Sequence, residues 1–488
     1  MARRSNFPVR SCQPDPSYLA FFSLRFPTTP SHLDNLPTEI LTTVFELLPR
    51  DGSRLALAST NKHLRDVLAP YIFSAIKLNS STHERHEFEQ LVNKYRPTIT
   101  RLHFVASMPY GRPEDDIPAT LPPNHRTHKR DILSSAVEKS DAATGVKSFM
   151  TDFARDALMG KLLPKVTTLC LSFDFEFNYE GDELDEDEET NVWDDPNPTS
   201  PEWSHNIYVF SEAETAEDVP KKEAKYPWRA LMAQTWLALC QNKFITKLIV
   251  RDLIPRKTTT FDTEDWRGFL GRLETLELSV WGDSQEIGLA ILEGYGDFVR
   301  KLDKYFLQHL TQVQRLLLIA YPDCPFGRAS EDLPNQDVTF LDWALSREHL
   351  PHLRLLELCN VCINKKLADF ILSRSATLHH VRLLDCHCES TSDFADAELI
   401  SWAMFFTHID HNKTQLKGLC VTYERGSDAA MLHDENRLKG KGEDMVFSYG
   451  DMDIEIGFRA DDETIREKYE ERMDLVAYHK LMDTIRQN

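Results

Sequence analysis

A six-residue pattern, apolar–x–x–apolar–x–apolar, returns eight times between residues 99 and 421 and leaves the chain few architectures. It reads ITRLHF from residue 99, VTTLCL from 166, ITKLIV from 245, LETLEL from 273, VQRLLL from 313, LRLLEL from 353, LHHVRL from 378 and LKGLCV from 416. The alternating second half has the period of a strand with one buried face. Successive copies lie 67, 79, 28, 40, 40, 25 and 38 residues apart. Between them run helix-like stretches such as EIGLAILEGYGDFVRKLDKYFLQHL, FLDWALSREHL and KKLADFILSRS. Strand alternating with helix at such intervals predicts an α/β solenoid over residues 79–460, with a parallel sheet and outer helices.

The two longest intervals must hold insertions. Residues 174 to 195 carry twelve acidic side chains and no basic one, which predicts a solvated surface loop near 174–200. The polar, Pro-containing stretch 109–145 is the second. At the C-terminal end, MVFSYGDMDIEIGF reads as a strand or hairpin, followed by a charged amphipathic helix over 461–488. Residues 1–31 are rich in Pro, Ser and Arg without periodicity, and are expected to be disordered.

Composition removes several function classes. Asp and Glu outnumber Lys and Arg 77 to 56, a net charge of −21, which speaks against a nucleic-acid or anionic-membrane binder. No apolar run is long enough for a membrane span. Arg3, Arg4 and Arg10 stand without the apolar core of a signal peptide, so cytoplasmic or nuclear residence is expected. Nine scattered cysteines then read as buried free thiols. Cys359 and Cys362, with His379, His380, Cys386, His387 and Cys388 downstream, are zinc-ligand types. The first pair ends a repeat strand and Cys386/Cys388 have strand spacing, so buried repeat cysteines and no metal are expected. No P-loop, nucleophile elbow, H-E-x-x-H or dinucleotide glycine pattern is present, and GYG at 294–296 reads as a helix interruption. No catalytic residues and no cofactor are expected.

The stretch LDNLPTEILTTVFELLP, residues 33–49, carries apolar pairs Ile40/Leu41, Val44/Phe45 and Leu47/Leu48 spaced by three or four. Two apolar stripes on one short helix are more than a small core covers. RDGSRLALAST supplies a turn and a second helix, NKHLRDVLAP a third ended by Pro70, and YIFSAIKLN an extended exit.

Residues 32–78 resemble an F-box through Leu36-Pro37, Glu39-Ile40-Leu41, Val44-Phe45, Leu47-Leu48, the LALAST segment and the exit through Tyr71, Phe73 and Leu78. The LxxLxL segments resemble leucine-rich repeats, with Cys386 where such repeats use Asn or Cys, and look like the divergent repeats of fungal F-box proteins. The resemblance implies one stripe packed inside a three-helix unit and the other docked on a Skp-type adaptor, which joins a cullin–RING ubiquitin ligase. The adaptor contacts are expected among Leu36, Pro37, Ile40, Leu41, Val44, Phe45 and Leu48. The implied function is substrate recognition in an SCF-type ligase, with no chemistry in the chain itself. The competing reading is a scaffold or regulator that binds partners without directing ubiquitination.

In each motif the leucine-type residues point inward, so intervening positions line the sheet's other face. Five basic residues there (Arg101, Lys247, Arg251, Arg315, Arg382) oppose two acidic ones (Glu277, Glu357), with His103, Ile249, Leu317, Ile319, Leu355 and Leu384 between them. Lys247, Arg251, Arg315, Leu317, Leu355 and Arg382 are the substrate candidates, for an acidic or phosphorylated protein segment with an apolar anchor. The alternative is that the acidic insert or the C-terminal helix covers this face.

Overall fold

The structure is a computed structural model that describes residues 37–48, 53–60, 62–82, 86–107, 148–174, 213–282, 293–322, 325–327, 345–390, 400–411, 415–423, 445–453 and 457–488. Leu36, the stretch 109–145 and residues 175–200 of the acidic insert lie outside them. The chain divides into a helical unit, Met1–Ile76 with Glu89–Ile99, and a sheet unit, Lys77–Phe88 with Thr100–Asn488.

The helical unit holds α1 (Thr38–Leu47), α2 (Ser53–Ser59) and α3 (Lys62–Ile72). Pro37 opens α1, its carbonyl accepting from the Ile40 and Leu41 N–H groups at 3.0 and 3.1 Å. Leu48 is extended, as the residue before a proline prefers, and that ends the helix. Phe45, Ala58 and Leu68 form the core, with Leu57, Val67 and Ile72 packed against it. The Arg54 guanidinium lies 5.0 Å over the Phe45 ring and its Nε donates to the Leu48 carbonyl at 3.1 Å, tying α2 to the end of α1. Pro70 does not end α3, contrary to the sequence reading: it sits inside the helix, exposed, and the chain stays helical to Ile72. A proline costs a helix least near its end, where one lost N–H bond is all it removes. The extended exit therefore begins only at β1 (Ala75–Asn79). α4 (His86–Tyr95) follows, and its Tyr95 ring stacks on Phe73 with centroids 4.0 Å apart.

The sheet unit alternates strand and helix. Its strands are β2 (Arg101–Ser107), β3 (Thr168–Asp174), β4 (Lys247–Leu253), β5 (Thr275–Val280), β6 (Arg315–Ile319), β7 (Leu355–Cys359), β8 (His380–Leu384), β9 (His387–Glu389), β10 (Gly418–Thr422), β11 (Ser448–Asp453) and β12 (Gly457–Ala460). Its helices are α5 (Asp152–Leu158), α6 (Asp218–Lys225), α7 (Pro227–Cys240), α8 (Glu264–Leu270), α9 (Glu293–Arg300), α10 (Leu302–Tyr305), α11 (Lys365–Ser373), α12 (Trp402–His411), α13 (Asp462–Glu471) and α14 (Met473–Gln487). A nine-stranded sheet runs β1 to β8 and then β10 in chain order, without a switch point, and its pairs from β2 to β10 are parallel.

All eight motifs fall on these strands in matched register. Leu102, Leu169, Leu248, Leu276, Leu316, Leu356, Val381 and Leu419 form one continuous row. Every apolar motif residue is buried. Connecting helices cover this face. Trp236 of α7 meets Phe173 of β3 at 5.4 Å between centroids and Trp266 of α8 at 5.2 Å, while the Trp266 indole donates to the Tyr305 carbonyl at 2.8 Å. Inside β4, where its register to β5 shifts, and just after β7 and β8, the chain passes through Asp252, Asn360 and Asp385 at φ 51°, 55° and 49°, a left-handed conformation Asn and Asp tolerate best. Cys386 follows the last of these and is buried, its thiol directed at the Leu384 and Leu358 carbonyls at 3.4 and 3.6 Å.

Other elements depart from expectation. The described part of FLDWALSREHL, residues 345–350, forms turns and no helix. GYG does not interrupt a helix: Gly294 to Gly296 lie within α9, where Tyr295 is buried. The C-terminal helix is two helices, broken at Arg472 with φ 58°. The expected hairpin is β11–β12, and β11 also pairs in parallel with β9 in a second, three-stranded sheet. Buried Asp474, in the first turn of α14, accepts from the Ala403 N–H at 2.7 Å and the Tyr449 hydroxyl at 2.8 Å. It thus caps α12 from another element.

A buried ionic cluster joins α7 to the segment after β4. Arg229 donates to Glu214 at 3.1 and 2.8 Å and to the Lys257 carbonyl at 2.7 Å, and Arg256 approaches Glu214 at 3.4 Å. Burial pushes the Glu214 carboxyl up, but Arg229 and Arg256 outweigh it and hold it below its ordinary 4.5. The stability Glu214 supplies is therefore present above pH 4.5 and lost as pH falls through the lowered folded value. Glu214→Gln leaves two buried guanidiniums against one neutral amide, and is expected to cost about 3–5 kcal/mol at pH 7 in urea unfolding. The deficit should shrink as pH falls through that window; an equal deficit at pH 3 and pH 7 contradicts this account.

Candidate functional site

Two surfaces carry groups that fold stability does not require. The first is the outer stripe of α1. Leu41 and Phe45 are 1% and 2% exposed, whereas Ile40, Val44 and Leu47 are 48%, 36% and 80% exposed. A helix places positions 40, 44 and 47 on one side because they fall three and four apart. Pro37 is exposed at its start and Leu48 is half-buried at its end. The expected contact set thus divides: Leu41 and Phe45 belong to the unit's own core, so they hold the helix rather than present it. Leu47, the most exposed of the group, was not in that set, although its i+3 spacing from Val44 signals the face. Tyr71 adds a further exposed ring, 5.9 Å from Phe45.

The second surface is the face of the large sheet opposite the motif residues. The six candidates Lys247, Arg251, Arg315, Leu317, Leu355 and Arg382 all fall on it, each half-exposed or exposed. Strand register decides their chemistry. Glu277 shares its row with Leu317, Glu357 and Arg382, so acids stand beside bases of neighbouring strands. Lys247 meets Glu277 at 2.5 Å. Glu357 receives Arg315 at 2.7 Å on one oxygen and Arg382 at 2.9 Å on the other. Its own residue is buried between them. The five-to-two excess of bases is therefore not spread evenly: Lys247, Arg315 and Arg382 each have a carboxylate partner, the two arginines sharing one.

Arg251 and Arg101 remain. With Lys77 of β1 they surround His103, and burial together with Arg251, Arg101 and Lys77, in that order, holds this imidazole below its ordinary value of 6.5. Lys77 was missed from sequence because β1 carries no repeat motif. Its burial pattern, Leu78 in and Lys77 out, is the signal that could have found it.

Cys362, Cys386 and Cys388 are buried and Cys359 half-buried, all as free thiols. Burial raises Cys386 and Cys388 well above the usual thiol value, so they stay protonated. Among the described residues no group of three or more His, Cys, Asp or Glu is placed to hold a metal ion, and no helix is long and apolar enough to cross a membrane. The chain matches no family model and no curated protein sequence.

The Glu357 pairs change what charge reversal does. Arg315→Glu with Arg382→Glu sets three carboxylates side by side, one of them buried, so it does not spare folding. We expect the double reversal to lose about 1–3 kcal/mol in urea unfolding, against under about 1 kcal/mol for Arg382→Gln alone, since Arg382 is an exposed partner. Equal midpoints for the two variants would show that Glu357 is not held by both arginines.

Proposed function

We propose that this chain is the substrate-recognition subunit of an SCF-type cullin–RING ubiquitin ligase. In this reading the helical unit is an F-box that docks on a Skp-type adaptor, and the sheet unit is a divergent leucine-rich-repeat domain that binds the substrate. The chain carries no chemistry of its own; it raises the effective concentration of a bound protein near the charged ubiquitin carrier.

The observation that supports this best is the division of α1. A ten-residue helix that fills its core with Leu41 and Phe45, yet leaves Ile40, Val44 and Leu47 exposed on one side, spends apolar surface where folding does not use it. Apolar side chains on a short rigid helix suit helix-in-groove binding to another protein. Repeats stacked in chain order support the second half of the reading, because such arrays offer one long face for a partner.

Ile40→Glu with Leu47→Glu should reduce capture of a Skp-type adaptor by roughly 30-fold or more, because charge is costly in an apolar interface. Far-UV circular dichroism should not change, since both side chains face solvent in the free chain. Leu41→Ala should behave oppositely: it opens a cavity in the helical core and costs about 2–5 kcal/mol there. Full adaptor capture by the double variant, with its helices intact, would sink the assignment.

A further inference from the structure

The open sheet face is electrically uneven. From Lys247 of β4 toward β8 each strong base has a carboxylate beside it: Arg315 and Arg382 share Glu357, and Lys247 holds Glu277. Toward β1–β4 four basic residues stand together, Lys77 on β1, Arg101 and His103 on β2, and Arg251 on β4. Among the described residues none of the four forms an ion pair with a carboxylate. Lys77, Arg101, His103 and Arg251 are all exposed on the face. Strand register fixes their layout. Arg101 shares a row with Thr168 and Lys247, His103 with Cys170 and Ile249, and Arg251 with Ser172 and Val105. The positions between them on β3 are thus neutral.

This arrangement is unusual for a chain with 77 acidic residues to 56 basic ones. Bases left unopposed repel one another, and His103 registers it: its three charged neighbours are Arg251, Arg101 and Lys77, all cations. An anion laid on the patch would relieve that repulsion, which is how a preorganised anion site is built. The spread of the charges favours one kind of anion. The full charges are spread out: Lys77 on β1, Arg101 on β2 and Arg251 on β4 lie within three inter-strand steps, about 14 Å, β3 between them carries none, and Arg251 stands level with Val105, further along the strands than Arg101. One dianionic phosphate would span too little of it. An extended peptide places alternate side chains about 7 Å apart on one side, so several singly charged carboxylates of one segment can reach charges separated this widely.

We propose that Lys77, Arg101, His103 and Arg251 form a docking site for a carboxylate-rich segment of a partner protein, laid across strands β1 to β4. This rests on reading the open sheet face as the substrate-recognition surface. It moves the anionic contact away from Arg315 and Arg382, which already share the Glu357 carboxylate.

The test uses the full chain and a fluorescein-labelled peptide of alternating Glu and Ala, about ten residues long, read by anisotropy. Binding is expected at low salt and should weaken as ionic strength rises past about 0.15 M. Arg101→Gln with Arg251→Gln should weaken it at least about tenfold. Lys221→Gln with Lys304→Gln, which removes the same charge from exposed positions on α6 and α10, should leave it within about twofold. Equal effects of the two pairs, or none from the first, overturn the proposal. A matched phosphoserine peptide that binds at least about tenfold tighter overturns the carboxylate assignment. Binding seen only after residues 175–195 are deleted assigns the patch to the chain's own acidic segment and overturns an external occupant. Adaptor capture through α1 is measured on the same proteins. Its absence counts against the ligase reading alone, while failure of the unsubstituted chain to bind the peptide, with capture intact, counts against the patch alone.

Discussion

The sheet unit depends on one constraint: in every repeat strand the second and third apolar positions of the motif must face the same side. Side chains alternate along a strand, so a slip of one residue would turn a whole row of leucines into water. Each buried leucine is worth about 2 kcal/mol, and a slip forfeits several at once. The parallel pairing of Leu276 with Leu316 and Leu356 is therefore held by the motif rather than by any single bond. The same register sets the other face. Glu277 and Glu357 can reach Lys247, Arg315 and Arg382 because the leucines between them are aligned.

What closes the unit is polar. A stack of strands leaves an apolar face that helices must cover, and the covering helices bring buried charge with them. Glu214 between Arg229 and Arg256, and Asp474 beneath Tyr449 and the N-terminus of α12, each fix one helix to another part of the chain. Burial raises the Asp474 carboxyl, whereas two guanidiniums lower Glu214. The two sites therefore respond oppositely to acid. Folding gains from ionised Glu214 and gains nothing from ionised Asp474, whose proton is favoured by the fold.

The repeat strands were legible because two apolar positions at a period of two state both the element and its buried face. LETLEL at 273 and LHHVRL at 378 became β5 and β8 with the expected residues inside. Two stripes on α1 were also visible, but not which of them packs inward. That choice is made by Ala58 and Leu68, residues on other helices, and so is tertiary. The ion pairs were illegible for the same reason: Lys247 and Glu277 lie thirty residues apart, and only register brings them together. The break at Arg472 gave no warning, since arginine is not a residue that announces a left-handed turn. Lys77 escaped because β1 joins the sheet without repeating its motif.

The two surfaces differ in physical kind, and that bears on how they would act together. The α1 stripe is apolar, so its binding would change little with salt, and its energy would come from a few buried anchors. The sheet face is charged, and its unmatched half is confined to β1–β4, so binding there would be faster at low ionic strength and would fade with screening. Toward β8 the Glu357 carboxylate offsets half of the charge of Arg315 and Arg382, so that end of the face attracts an anion less strongly. A chain of net charge −21 would otherwise repel acidic partners at long range. Among the described residues, bases without a carboxylate partner at β1–β4 would offer such a partner a local attraction that the net charge of the chain does not.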